Sequence, residues 1–174
     1  MNKQALIYGA IGGIFSILVN LLIYAIDPTI FGSFWAALIF WPIGIIVMVL
    51  AGLAVRKNKG GFLRFGEAFL NTWLAGVIMT VISTLFSILL FNVIDPGLVE
   101  LVTETILQNT AEMMSSFGMP EAQMEEAMMQ TAKELDGAFS PGKQLMNIIG
   151  ASIGLAIVAL IIGLIVKRNP PENA

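Results

Sequence analysis

Residues 5–26 read ALIYGAIGGIFSILVNLLIYAI, a run without a charge that stops on Asp27-Pro28. A helix needs about 20 mostly apolar residues to cross the hydrocarbon of a bilayer, and this run is long enough. Its one strongly polar residue is Asn20. Three further stretches share its character. Residues 34–55 are uncharged and hold Pro42, residues 68–94 carry several hydroxyls, and residues 145–166 are rich in Ile, Leu and Gly. The expected fold is an all-α membrane protein whose single integral domain, residues 1–174, has four transmembrane helices at 5–26, 34–55, 68–94 and 145–166. The first apolar run exceeds a signal-peptide core and no clear small-x-small cleavage site follows it, so it reads as a retained helix.

Composition points the same way. Hydrophobic residues make up 57% of the 174 and charged residues only 12%, whereas soluble chains are about a quarter charged. A body this small has too much surface to hide that much apolar side chain from water. The chain has neither Cys nor His. Disulfides, thiolate metal sites and cysteine nucleophiles are therefore excluded, and the commonest general base is missing. No carboxylate pair lies deep in a span, so the expected protein is not an enzyme and needs no cofactor. No nucleic-acid partner is expected; the lipid bilayer is.

The basic residues orient the spans. Seven of the nine, namely Lys3, Arg56, Lys57, Lys59, Arg64, Lys167 and Arg168, fall on one side. That side is read as cytoplasmic, and it holds both termini.

The Asp-Pro pair occurs twice. LLIYAIDPT at 21–29 ends the first span and LLFNVIDPG at 89–97 ends the third. The second and fourth spans end alike, on GLAVRKN at 52–58 and GLIVKRN at 163–169. The four spans thus read as two tandem two-helix repeats in the same orientation, with an insertion in the second outer loop. Convergence is the plainer alternative, because basic residues after a span follow from orientation alone. Proline drives the residue before it out of the helical region and fixes its own dihedral, so Asp-Pro stops a helix and starts a turn. The sharper reading makes Asp27 and Asp95 a carboxylate pair at a cation mouth; their position at the membrane edge favours the turn.

In lipid, helices pack where small residues let backbones approach. The first span offers Ala5, Gly9 and Gly13, and the fourth Gly150, Gly154, Ala159 and Gly163. The third carries Thr72, Gly76, Thr80 and Thr84 with Ser83 and Ser87 beside them, a stripe that Asn20 is expected to meet across the helices. The same stripe would line a solute route, so a small oligomeric transporter or channel for a small solute or ion is the alternative function. In the loop RKNKGGFLRFGE at 56–67, Glu67 opens the third span, where the helix dipole favours an acid. It is expected to pair with Arg64 or with a basic residue of span four, and it is the candidate coupling residue on that side.

Residues 95–143 differ from the rest, with nine acids against two lysines. Leu98, Val102, Ile106, Met113 and Phe117 mark one helical face, and Met124, Met128, Thr131 and Leu135 another. Pro120 suits the first turn of the second helix. The segment reads as an extracytoplasmic amphipathic helical hairpin. Its methionines, Met124 and Met128 among them, serve as filler between the two helices or as an adaptable partner surface. Thioether metal binding is a poor third without Cys or His beside them.

FGEAF at 65–69 entering the third span, NVIDP at 92–96 leaving it, and the acidic, Met-rich insertion before the fourth complete a pattern. Over nearly its whole length the chain resembles the bacterial membrane proteins grouped as "domain of unknown function 4199". The resemblance implies a multi-pass protein of the bacterial cytoplasmic (inner) membrane, and it carries over no catalytic residue. The expected function is non-catalytic, acting through helix–helix association and the outer hairpin, with a homo-oligomer or a membrane protein as partner. The candidate positions are Glu67, Asp27, Asp95, Asn20, Met124 and Met128.

Overall fold

A computed structural model describes residues 2–169. Among these the chain is helical, without a strand. Helix α1 is Lys3–Ile26, followed by a 3-10 turn at Pro28–Gly32; α2 is Phe34–Asn58; α3 is Phe65–Leu89 and runs on as a π-helical turn, Leu90–Ile94. Then come α4, Leu98–Ser116, α5, Glu121–Leu135, and α6, Pro141–Val166. Four of them, α1, α2, α3 with its π turn, and α6, are long and apolar enough to cross a membrane.

Local chemistry sets the helix ends. The Asn2 side chain accepts from the Gln4 amide at 3.0 Å and caps α1. Ser140 caps α6, and Pro141 occupies its first turn, where a missing N–H costs nothing. Helix α6 therefore starts at Pro141, ahead of the apolar run that begins at Leu145.

Helix α3 is the centre of the bundle and touches each of the other three spans. Its contact with α1 depends on glycine. A Cβ on Gly9 would lie 2.8 Å from the Ala75 carbonyl oxygen, and one on Gly13 would lie 2.7 Å from Ile82 Cβ. Gly12 faces α2 at the same closeness, 2.7 Å from Val47 Cγ1. Such approach maximises dispersion contact between helices whose apolar surfaces gain nothing from leaving water. On the other flank, Gly163 of α6 lies against the Phe69 backbone.

The two ends of the bundle have different cores. At the basic end Met48, Val55, Leu63, Ala68, Ala159, Ile162 and Val166 form a closed apolar cluster. Leu63 and Arg168 exchange backbone hydrogen bonds of 2.8 and 2.9 Å, which strap the α2–α3 loop to the end of α6. At the acidic end Leu90, Phe91, Leu98 and Val102 form a second cluster with Tyr24, Phe31 and Phe139 around it. Phe91 meets Phe31 edge-on at 5.7 Å and stacks on Phe139 at 4.9 Å.

Helix α4 lies over the 28–32 turn. The Asn109 amide donates to the Gly32 carbonyl at 3.2 Å, and a Cβ on Gly32 would sit 2.9 Å from the Val102 carbonyl oxygen. Helix α5 packs against α4 but contains no buried residue.

One packing expectation is met only in part, at Ala159 and Gly163 of α6. Gly150 and Gly154 hold nothing within 4 Å of where a Cβ would be. Helix α6 turns Gln144, Ala159, Ile162, Gly163 and Val166 inward, so the small residues nearer the basic end pack and the two glycines before them do not. The four-residue spacing that joins α1 to α3 is present on α6 without a neighbour of its own chain.

Candidate functional site

The Asp-Pro joints are built alike. Asp27 ends α1 at φ −159°, ψ 97°, and Asp95 ends the π turn at φ −144°, ψ 85°. Both are extended, as a residue before proline must be. Each carboxylate turns back onto its own turn. Asp27 Oδ1 accepts from the Thr29 amide at 3.0 Å and the Thr29 hydroxyl at 2.6 Å; Asp95 Oδ1 accepts from the Gly97 amide at 3.1 Å. The Thr29 hydroxyl, and after it the Thr29 N–H, holds the Asp27 carboxyl below the usual aspartate range by stabilising its charged form.

The joints differ in how the helix arrives. The Asp27 amide donates to Ile23, one α-helical step back, whereas the Asp95 amide donates to Leu90, a π-helical step. The widened turn brings Leu90 and Phe91 together into the acidic-end core. The second Oδ of Asp95 accepts from the Tyr24 hydroxyl at 3.2 Å, which ties the end of α1 to the end of α3.

Glu67 pairs with Lys59 rather than with Arg64 or a residue of α6. Gly60 and Gly61, at φ +72° and +92°, fold the loop back so that Lys59 reaches the first turn of α3. The two side chains are 39% and 44% exposed, so this is a surface pair with a small energetic role.

Asn20 does not bond across to α3. Its Nδ2 donates to the Ser16 carbonyl of its own helix at 2.7 Å, while the Ser16 and Ser83 hydroxyls meet at 3.0 Å and join α1 to α3. A serine in an apolar helix is an ordinary residue in sequence, which is why Ser16 carries no signal there. Met124 and Met128 are half-buried along α5, and Met113, Met129 and Phe117 near them are exposed.

The hydroxyl stripe of α3 and Asn20 come together in a cleft. Helices α2 and α6 meet at the basic end and part toward the acidic end, and between them lies a cleft of about 370 Å³ floored by α3. Its walls include Trp41 and Gly44 of α2 and Gly154 and Leu155 of α6. It shares Phe40, Ser83 and Thr84 with a second, polar compartment of about 310 Å³, where Asn20, Ser87, Gln144 and Asn147 converge. Among the described residues no charged one lines either part, and Asp27, Asp95 and Glu67 all lie outside them. The cleft reaches Met48 and Gly76, and the closed basic-end core lies beyond Met48.

Four long apolar helices around a central α3, with a polar-floored cleft, define a helical multi-pass membrane protein. The chain belongs to the family described as "Protein of unknown function (DUF4199)", whose sequence profile matches residues 7–168. No curated protein and no solved structure matches it.

Proposed function

We propose that this is a non-catalytic protein of the bacterial inner membrane that works by associating with a second copy of itself through α6. The carrying observation is the uncovered α6 face at Gly150, where a Cβ would meet nothing within 4 Å; Gly154, one helical turn on and equally open, borders the cleft toward α2. The same spacing at Gly9 and Gly13 is filled by α3. Beside the α6 glycines, Met146, Ile149, Ile153 and Ile157 are exposed, the arrangement of a small-xxx-small helix dimer.

In this reading the basic end faces the cytoplasm, following the bias of Arg56, Lys57, Lys59, Arg64, Lys167 and Arg168. The α4–α5 pair is then an extracytoplasmic hairpin. Anchored through Leu98 and Val102, it offers α5, with half-buried Met124 and Met128 and exposed Met129, as a docking element. The Asp-Pro joints, alike in the aspartate's φ and ψ and in its Oδ1 bond to the amide two residues on, support a chain made of two tandem two-helix units.

The chain has no cysteine, so single-cysteine crosslinking is unambiguous. Met146→Cys and Ile153→Cys should each yield disulfide-linked dimers in membranes, and Gly150→Leu should abolish them and leave a monomer by native mass measurement in mild detergent. Absence of dimer at both positions, or a dimer indifferent to Gly150→Leu, would sink the proposal.

A further inference from the structure

The cleft between α2 and α6 has the chemistry of a binding site rather than of a packing defect. Hydroxyls in an apolar helix normally donate to their own helix, as Thr72 does to Ala68 at 2.9 Å and Ser152 to Ile148 at 2.7 Å. Among the described residues, Thr80, Thr84 and Ser87 make no such bond, and they line the cleft instead. A hydroxyl facing hydrocarbon without a partner is costly, so a polar occupant would stabilise this row. Asn147 and Gln144 face the same compartment from α6, and Asn20 from α1.

The two compartments differ in character along the bundle axis. The polar one, near the acidic end, gathers amides and hydroxyls; the deeper one is walled by Met48, Met79, Leu155 and Val158. Among the described residues no charge lines either, so a phosphate, a carboxylate or a cation would sit there without a charged partner. The volume of about 370 Å³ lies within the range of small-molecule pockets, about 300–1,000 Å³. Trp41 and Ile45, at the α2 wall, are 62% and 40% exposed, so the cleft is open sideways to lipid.

We infer that the cleft binds one neutral single-chain amphiphile drawn from the acidic-side leaflet. Its uncharged hydroxyl or amide head bonds to Thr84, Ser87 and Asn147, and its chain lies against Met48, Met79 and Leu155. The ligand enters between α2 and α6 and stops at the closed basic-end core.

The test uses the full chain in mild detergent, with monoolein as the neutral probe and oleate as its charged counterpart, read by native mass spectrometry. Gly44→Leu fills the cleft from α2, where a Cβ meets nothing within 4 Å, and it leaves the exposed Met146, Ile149 and Ile153 side of α6 unchanged. Thr84→Val removes a head contact at constant shape. The expected result is one monoolein per chain, bound about ten-fold more tightly than oleate and weakened about ten-fold by either variant. Equal retention of the two probes, or monoolein binding indifferent to both variants, would mean an annular lipid and overturn the inference. The oligomer mass in the same spectra reports separately on the α6 interface.

Discussion

The Tyr24 hydroxyl donates to Asp95 Oδ2 across the acidic end of the bundle, at 3.2 Å. This bond joins one Asp-Pro joint to the helix that leads into the other. Asp95 is thereby shared between its own turn, through the Gly97 amide, and the end of α1. Tyr24→Phe should cost about 1 kcal/mol in a detergent unfolding titration, the usual worth of such a bond. Combined with Asp95→Asn the losses should fall short of additive. Additivity within about 0.3 kcal/mol would show that the bond carries no energy.

Asp27 differs from Asp95 in being satisfied wholly by Thr29. Its carboxyl is lowered in the folded state, so the stabilisation it gives the 28–32 turn is present above the unfolded value and is lost as pH falls through the folded one. The Thr29 amide resonance should therefore titrate with a midpoint below the ordinary aspartate value of about 3.9. Asp27→Asn should abolish the titration. A midpoint at or above the ordinary value would contradict the capping geometry.

The Lys59–Glu67 pair is exposed on both sides and sits at the mouth of a loop. Glu67→Gln should change stability by less than about 1 kcal/mol, with the difference shrinking as salt rises. A larger, salt-insensitive loss would restore Glu67 as a coupling residue.

The glycines divide by neighbour, not by spacing. Gly13→Leu drives a side chain into Ile82 and should cost about 1–3 kcal/mol by overpacking. Gly150→Leu meets nothing in its own chain and should leave monomer stability within about 0.5 kcal/mol. Comparable losses from both would mean that α6 is covered by its own chain in the membrane.

That division also marks where sequence reading ran out. The spans were legible because uncharged runs of this length have one solvent, and Asp-Pro was legible because proline acts on the residue beside it. Glycine spacing says that a helix approaches; it does not say whose. Gly9 and Gly150 are alike in sequence and opposite in surroundings. The cleft was illegible for a related reason: it arises where α2 and α6 diverge, and no local pattern in either helix encodes that angle. The hydroxyl row on α3 was visible, but whether Thr80, Thr84 and Ser87 bond backward along the helix or face outward is settled only by the neighbours they lack.

Helix α4 joins the acidic segment to the bundle through few side chains, and Leu98 and Val102 are the ones fully enclosed. Leu98→Ala removes the anchor nearest the Asp95 joint and should cost about 2–5 kcal/mol locally. Because α5 contributes no buried residue, the loss falls on the hold of α4 over the 28–32 turn, not on the spans. Hydrogen exchange should rise across 98–135 while α1 and α3, fastened by Gly9, Gly13 and the Ser16–Ser83 bond, keep their protection. Met129→Ala on the exposed side of α5 should change neither, since that side chain is 56% exposed. If exchange instead rose through α1 and α3 together with α4, the outer helices and the bundle would be one cooperative unit. A partner engaging α5 would then be acting on the whole protein rather than on a separately anchored element.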